Sequence, residues 1–195
     1  TSDATADVFG WWEYNNTRAP LALKAIDSTN ALAVRTFTTD TTSPNLNRYW
    51  IDMDAGKLKL EFDEVVDVGA LDVTGIRLQY AKYLPTSGDE ASEFLKLSNS
   101  SSYTTTTSDS TTLFVWLGED DLNDLKARAS TFVDLASSWL VLSTRAITDV
   151  FGNAVAELRN GRAIQATNFT ADTTRPRIIS FTLYAAGTLT LRFDE

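Results

Sequence analysis

The sequence predicts an all-β protein made of Greek-key β-sandwich units with one short helix per unit. Three observations predict it: segments in which apolar and polar residues alternate, glycines between paired segments, and an internal duplication of the strand pattern. Alternation places apolar side chains on one face of a strand. Several short strands separated by turns are typical of a sandwich.

The clearest alternation occurs in two copies of one segment. Every second residue is apolar in residues 57–62, and residues 188–193 repeat the pattern. Gly56 and Gly187 precede these segments and predict hairpin turns. Residues 76–80 alternate as well. Two short apolar runs predict strands buried on both sides, at residues 113–117 and 139–142.

One helix is predicted within residues 118–128. Its acidic residues come first and its basic residues come last, which suits the helix dipole. Asp120 or Asp121 is the predicted N-cap. The apolar residues at helical spacing are Leu122, Leu125, Ala129 and Phe132.

The chain contains an internal duplication. Asp40-Thr-Thr-Ser-Pro44 returns as Asp172-Thr-Thr-Arg-Pro176, at a spacing of 132 residues from Pro44 to Pro176. Residues 55–64 return as residues 186–195, with one residue lost in the preceding turn. A third match, Asp7-Val-Phe-Gly10 with Asp149-Val-Phe-Gly152, has a longer spacing, because the first copy carries an insertion around Trp11 to Pro20.

This duplication predicts the domain organisation. Residues 1–39 are the end of one repeat, residues 40–171 are a complete repeat, and residues 172–195 begin a following repeat. Such phasing is expected of a segment from a longer tandem array. The alternative is one irregular domain that carries a decayed duplication.

The composition excludes several classes of function. Lys and Arg number 17 against 26 Asp and Glu, giving a net charge of -9. An acidic surface disfavours nucleic acid and anionic lipid as partners. The absence of His and Cys removes the commonest metal ligand and every thiol site. No apolar run is long enough to span a membrane, and residues 1–10 lack the pattern of a signal peptide.

The duplicated motifs carry a resemblance. The Asp-Thr-Thr-x-Pro boundary, the following Gly-x-Leu-x-Leu-x-Phe-Asp-Glu, and Thr148-Asp-Val-Phe-Gly-Asn153 resemble the tandem Ig-like (bacterial-Ig-like or cadherin-like) repeats of large surface proteins. Such repeats occur in bacterial adhesins, S-layer-type proteins and flagellar-hair (mastigoneme) proteins. The resemblance implies an extracellular location, a structural or adhesive role, and no catalysis. The implied partners are other copies of the chain or adjacent repeats in the same long chain.

Calcium is the candidate cofactor, and the boundary aspartates are its candidate ligands. Asp40 and Asp172 occupy the same position in two copies, and Ca²⁺ prefers carboxylate oxygens of this kind. The acids considered with them are Asp52 with Asp54, or Asp63 with Glu64. The second copy has Tyr184 and Ala186 in place of the first pair, which argues against a shared site built on it. The alternative is a turn in which each Asp bonds its own backbone.

Other candidate sites lie on the surface. Asn15, Asn99 and Asn168 begin sequons and are candidate glycosylation sites. Asn99 lies in the Ser/Thr-rich segment 98–112, which predicts an exposed edge strand with a loop, and disorder is the alternative. The inserted aromatic residues are a candidate contact surface for glycans or proteins, with a local apolar cluster as the alternative: Trp11, Trp12 and Tyr14. Trp116 and Trp139 are predicted to be core residues.

The expected function is structural. The chain is interpreted as a building block of a filament, surface layer or cell-surface appendage, and an adhesive or carbohydrate-binding surface module is the alternative. No enzymatic activity is expected, because Asp63 and Glu64 are strand neighbours that point to opposite faces and the helix-start acids have a capping role. The apolar face of the last two strands needs further chain or a neighbouring subunit to cover it.

Overall fold

The computed structural model describes residues 26, 28–29, 31–85, 94–99, 103–104, 106–128 and 131–194. The chain forms two compact units, Thr1–Thr39 and Asp40–Glu195. The described residues 31–39 of the first unit are exposed. Every strand given below belongs to the second unit.

The described part of the second unit is mostly β-sheet with one short α-helix, so the predicted all-β class is confirmed. In chain order the elements are β1 (Leu46–Asp52), β2 (Lys57–Val66), β3 (Ile76–Gln79), β4 (Phe94–Lys96), β5 (Tyr103–Thr104), β6 (Ser110–Trp116), α1 (Glu119–Ala127), β7 (Trp139–Leu142), β8 (Ile164–Gln165), β9 (Asn168–Thr170), β10 (Ile178–Leu183) and β11 (Leu189–Phe193). Two 3-10 helices, Val68–Ala70 and Val73–Gly75, connect β2 to β3.

The strands form three sheets. A five-stranded sheet has the order β5-β6-β2-β1-β9, and a four-stranded sheet has the order β4-β3-β7-β8. β10 and β11 form a separate hairpin. The pairing of β1 with β9 is parallel, and the other pairings are antiparallel.

The two larger sheets share one hydrophobic core. Alternate residues of β1, β2 and β6 point into it, which confirms the alternation predicted for residues 57–62 in β2. β3 and β7 contribute the other side. The largest fully buried side chains on the described strands are those of Tyr49, Ile51, Leu58, Leu60, Ile76, Leu78, Leu113, Leu140 and Leu142. Full burial of one such aliphatic side chain contributes about 1.5–3 kcal/mol, so this core is the main source of stability.

The turn glycines have the conformations that the hairpin pattern predicts. Gly56 has φ +62° between β1 and β2, and Gly187 has φ +86° between β10 and β11. These values are ordinary for glycine and costly for other residues. Gly75 has a different role, since a Cβ there would lie 2.6 Å from the Cα of Ala146. Glycine at this position lets the loop before β3 approach the segment after β7.

The helix differs from its prediction at both ends. Its N-cap is Gly118, without a side-chain hydrogen bond, so the expectation of Asp120 or Asp121 is wrong. Asp121 instead accepts a hydrogen bond of 2.9 Å from the backbone N–H of Ser98. The helix ends at Ala127, and Phe132 lies outside it with φ +58° although its side chain is buried. Ala129 is outside the described residues.

The two tryptophans predicted for the core lie at its margin. Trp116 and Trp139 are both half-buried. For Trp116 the reason is the alternation in β6, which sends Leu113 and Val115 inward and Trp116 outward. The Nε1 of Trp139 donates a 2.7 Å hydrogen bond to the carbonyl of Ala136. The apolar run in β6 is thus buried on one side rather than two.

Candidate functional site

We call the first Asp-Thr-Thr-x-Pro segment, residues 40–44, the first linker, and it is anchored to the strands that follow it. The Asp40 Oδ1 accepts a 2.9 Å hydrogen bond from the N–H of Thr42, which forms a tight turn. Pro44 is buried, and its carbonyl accepts a hydrogen bond from Ala156. These contacts hold Asp40 beside the end of β2 and beside the loop that contains Asp149.

Three carboxylates meet at this point. Oxygens of Asp40, Glu64 and Asp149 all lie within 4.8 Å of one another, and we call them the carboxylate cluster. Asp40 and Glu64 are half-buried, while Asp149 is only 2% exposed. Three acids so close together repel one another unless a cation or a hydrogen-bond donor compensates their charge.

Asn153 supplies part of that compensation. Its Nδ2 donates to Asp149 Oδ2 at 2.8 Å and to the Asp40 carbonyl at 3.2 Å. Its backbone N–H donates to Asp149 Oδ1 at 2.7 Å, as does that of Phe151 at 2.9 Å. Burial opposes the ionisation of Asp149, but these hydrogen bonds outweigh it and lower its pKa. Asp149 is therefore an ionised carboxylate held in a loop.

Glu64 is the uncompensated member of the cluster. Its Oε1 is buried without a hydrogen-bond partner. Burial, and then the negative charges of Asp40, Asp149 and Asp63, raise the pKa of Glu64. Hard oxygens of this kind are ligands for a divalent cation, and they also accept hydrogen bonds from an ammonium group. The cluster is thus suited to a positively charged occupant, and calcium at Asp40 stays a prediction.

Asp63 points to the opposite face of β2 from Glu64, and its carboxylate has a different role. It accepts hydrogen bonds from the backbone N–H and the Nδ2 of Asn45, at 2.7 and 2.9 Å. Burial opposes its ionisation, but these bonds outweigh burial and lower its pKa. Asp63 therefore fastens the start of β1 to the end of β2.

We call the second Asp-Thr-Thr-x-Pro segment, residues 172–176, the second linker, and it is anchored to the helix and the hairpin turn that precede it. The Lys126 Nζ on α1 lies 2.7 Å from Asp172 Oδ2, so a lysine rather than other acids faces this aspartate. Asp54 Oδ1 accepts hydrogen bonds from both the N–H and the hydroxyl of Thr173 and Thr174, at 2.9–3.2 Å. The backbone bond from Thr173, and then the others, lower the pKa of Asp54. Asp52 caps its own turn through a bond from Ala55.

The hairpin after this linker copies β1 and β2 in its pairing. Ile178 pairs with Phe193 and Leu183 with Leu189, as Leu46 pairs with Phe62 and Ile51 with Leu58. Both hairpins have their irregularity in register at the same place. Yet the six inward positions of the first hairpin are buried, and the matching six are 43–70% exposed, namely Ile178, Phe181, Leu183, Leu189, Leu191 and Phe193.

The outer face of the five-stranded sheet carries aromatic and basic side chains. Lys59 Nζ lies 4.1 Å from the ring centre of Trp50, and Lys57 Nζ lies 4.1 Å from that of Phe114 and 5.0 Å from that of Trp116. Lysine over an aromatic ring is a favourable cation–π contact. These cross-strand contacts place ammonium groups over the rings of this face.

The other predicted surface sites have simple positions. Asn99 is exposed in the turn after β4, and Asn168 is exposed in the edge strand β9. Asn15, Trp11, Trp12 and Tyr14 lie outside the described residues. In the described part of the chain, no helix has the length and apolar character needed to span a membrane.

Sequence reasoning missed Asp149, Asn153 and Lys126. The repetition of Asp-Val-Phe-Gly marked the loop of Asp149, but nothing in the pattern placed it beside Asp40. Lys126 was assigned only to the basic end of the helix. The structure brings Asp40 and Glu64 together and leaves Asp172 with a different set of neighbours.

The fold and these sites define an all-β protein with two sheets around one core, a carboxylate cluster and an exposed second hairpin. No family model matches the chain, and no curated protein matches it. One similar solved structure is the S-layer protein rSbsC, with 16% identity, a TM-score of 0.41, and coverage of 76% of this chain and 19% of that one. Another is the N-terminal part of the bacterial S-layer protein SbsC, with 17% identity, a TM-score of 0.39, and coverage of 76% and 32%.

Thus the chain spans only about a fifth to a third of the length of the solved chains that it matches. With identities and TM-scores this low, neither similarity bears on the function.

Proposed function

We propose that the chain is part of an extracellular structural repeat protein, in which Ig-like Greek-key sandwiches follow one another in tandem. Such a protein serves as a building block of a filament, a surface layer or a cell-surface appendage. Residues 40–171 are one repeat, residues 1–39 end the preceding repeat, and residues 172–195 begin the following repeat. Other copies or adjacent repeats are its partners.

One observation carries this proposal. The β10–β11 hairpin has the pairing of β1–β2 and the same irregularity in register, but its apolar face is exposed. In the first hairpin the matching face is covered by β3, β7 and their neighbours in the core. A hairpin of this kind is marginal in water by itself, so a layer equivalent to those strands is its natural cover.

Covering the exposed face of this hairpin would contribute a large free energy for so small an element. Six apolar side chains point from the exposed face, and each is roughly half uncovered. Covering all six would contribute on the order of 5–10 kcal/mol. This is comparable to the whole stability of a typical domain, so the exposed face strongly favours association with a further repeat.

The surface of the described repeat is compatible with an extracellular role. The asparagines of the sequons at Asn99 and Asn168 are exposed, as an N-glycan requires. The absence of cysteine makes the repeat depend on core packing alone. One acid of each adjacent pair has a structural partner, since Asp63 binds Asn45 and Asp121 binds Ser98. This supports a protein without catalytic activity.

An adhesive or carbohydrate-binding module is the second candidate. Its predicted contact surface, Trp11, Trp12 and Tyr14, lies outside the described residues. The aromatic rings on the outer face of the five-stranded sheet have lysine ammonium groups over them, which reduces the area open to a stacked sugar. The structural role is therefore the better supported of the two.

Electron microscopy separates the two candidates. Native material viewed in negative stain should show ordered filaments or layers if the structural role is correct. Purified chain carrying Phe181→Asp should lose any self-association seen in sedimentation. The matched variant Thr182→Asp, on the opposite face of the same strand, should retain it. Isolated monomers that bind immobilised glycans through the inserted aromatic residues would instead support the adhesive module.

A further inference from the structure

We propose that the carboxylate cluster of Asp40, Glu64 and Asp149 receives a lysine ammonium group from the helix of the preceding repeat, in the way that Asp172 receives Lys126. The inference rests on the proposed tandem arrangement. It assigns an interaction surface and a partner of defined chemistry to the cluster. Each joint between repeats then contains one lysine and three carboxylates.

The two linkers have the same local structure, which permits the comparison. Asp172 Oδ1 accepts a 3.0 Å bond from Thr174, as Asp40 Oδ1 accepts one from Thr42. Arg177 N–H donates to Asp194 Oδ1 at 2.7 Å, and its counterpart Asn45 donates to Asp63 at the same distance. The two linker aspartates are therefore held in the same way relative to the hairpins that follow them.

The second linker shows the contacts that the joint makes with the repeat before it. The Lys126 Nζ contacts the free oxygen of Asp172, and both side chains are mostly covered, at 20% and 26% exposure. Asp54 holds Thr173 and Thr174 beside the turn of the first hairpin. The helix thus presents its ammonium group at a fixed place relative to the linker.

The first linker displays the downstream half. Asp40 lies against Glu64 and Asp149, which belong to the repeat that the linker precedes. By sequence, Asp172 and Glu195 occupy the positions of Asp40 and Glu64 in the next repeat. Joining the two halves places an ammonium group on one side of the linker aspartate and two further acids around it.

The chemistry favours a lysine over a calcium ion at this place. An ammonium group has three N–H donors, and the cluster offers three carboxylates, of which Glu64 has a buried oxygen without a partner. Calcium requires six to eight oxygen ligands. Several of the oxygens here are already taken, since Asp149 accepts bonds from Asn153 and Phe151. The positive charge of one lysine also offsets the repulsion between Glu64 and the two neighbouring carboxylates.

An extended chain tests the joint directly. A second copy of residues 65–171 is appended after Glu195, so that Asp172 to Glu195 becomes the first hairpin of a complete second repeat. The unfolding of this repeat is followed by hydrogen exchange of residues 178–193 during heating. Glu195→Gln is made in two backgrounds, with Lys126 present and with Lys126→Gln. Lys82→Gln, which removes the charge of an exposed lysine elsewhere on the repeat, is the matched control.

The expected result is a reversal of sign. Glu195→Gln should lower the Tm of the second repeat by about 3 °C when Lys126 is present, and raise it when Lys126 is replaced. When Glu195→Gln is made in the Lys82→Gln control, the Tm of the second repeat should fall by the same amount as in the chain that keeps Lys126. Equal effects of Glu195→Gln in both backgrounds would overturn the joint alone. A rise in Tm on adding calcium chloride that is as large with Lys126 as without it would also overturn it, in favour of a metal site. A second repeat that does not fold would overturn the tandem arrangement and the joint together.

Discussion

The β1–β2 hairpin and the β10–β11 hairpin have the same strand pairing and opposite surroundings. Leu60 is 1% exposed, and its counterpart Leu191 is 43% exposed. Sequence pattern and backbone geometry are therefore properties of the hairpin itself, whereas burial depends on what the rest of the chain supplies. Substitutions at matched positions in the two hairpins, or at their ends, test this difference.

Matched truncations should give the largest effect. We expect Leu60→Ala to lower the free energy of unfolding by about 2–5 kcal/mol, because it leaves a cavity in the core. Leu191→Ala should change it by less than about 0.5 kcal/mol. Urea denaturation followed by tryptophan fluorescence measures both. Equal losses would mean that the second hairpin is already packed in the isolated chain.

The two turn glycines offer a second matched pair. Both have positive φ, but a Cβ on Gly56 would lie 2.9 Å from Leu122 Cδ2, whereas one on Gly187 would meet nothing within 4 Å. Gly56→Ala should therefore cost about 1–2 kcal/mol in the main unfolding transition. Gly187→Ala should strain only its own hairpin and leave that transition unchanged. Thermal unfolding followed by circular dichroism compares them, and an unchanged Tm for Gly56→Ala would contradict the contrast.

The contribution of Glu64, at the end of β2, to the stability of the fold should depend on pH. The folded-state pKa of Glu64 is raised, so the folded protein binds this proton more tightly than the unfolded chain. The stability that Glu64 contributes thus falls as pH rises through the interval above its unfolded pKa of about 4.3. Glu64→Gln should raise stability at pH 7 by roughly 0.5 kcal/mol, a value reduced for solvent screening. It should have little effect at pH 3.

The difference between wild type and variant isolates Glu64 from its neighbours. Asp63 and Asp149 have lowered pKa values, so their contributions to stability run in the opposite direction with pH. A Glu64→Gln variant whose stability differs from wild type by the same amount at pH 3 and pH 7 would contradict the proposed repulsion.

The smallest expected effect concerns the hydrogen bonds between Asp54, in the turn of the first hairpin, and the second linker. Asp54→Ala removes the acceptor for the Thr173 N–H. The exchange of that amide should become about tenfold faster while the main unfolding transition stays the same. Asp109→Ala, whose carboxylate accepts from Val68 away from the linker, is the matched control. Unchanged exchange at Thr173 after Asp54→Ala would show that the linker is held by other contacts.

The strands were predictable because their signal is local. Alternation in residues 57–62 of β2 and the positions of Gly56 and Gly187 follow from two-residue periodicity and from turn geometry. The helix cap was not predictable in this way. Asp121 satisfies a backbone N–H at Ser98 in a distant segment, and no local pattern indicates that competing partner.

The candidate site was half predictable for the same reason. Asp40 and Glu64 stand in duplicated motifs, so repetition alone selects them. Asp149 and Asn153 reach the cluster through the loop after β7, and only the tertiary fold brings that loop to the linker. Trp116 was assigned to the core from its apolar neighbours, although its place in the alternation already pointed it outward.

The parallel pairing of β1 with β9 has a mechanical consequence. The first linker leads into β1, and the second linker leaves from β9, which lies beside β1 with Trp50 opposite Asn168 and Asp52 opposite Thr170. Tension applied through the two linkers would pull these neighbouring strands in opposite directions along their length. Their hydrogen bonds, including that from Met53 to Thr170, would be loaded together in shear and not broken one after another. A string of such repeats would therefore resist stretching at each β1–β9 seam.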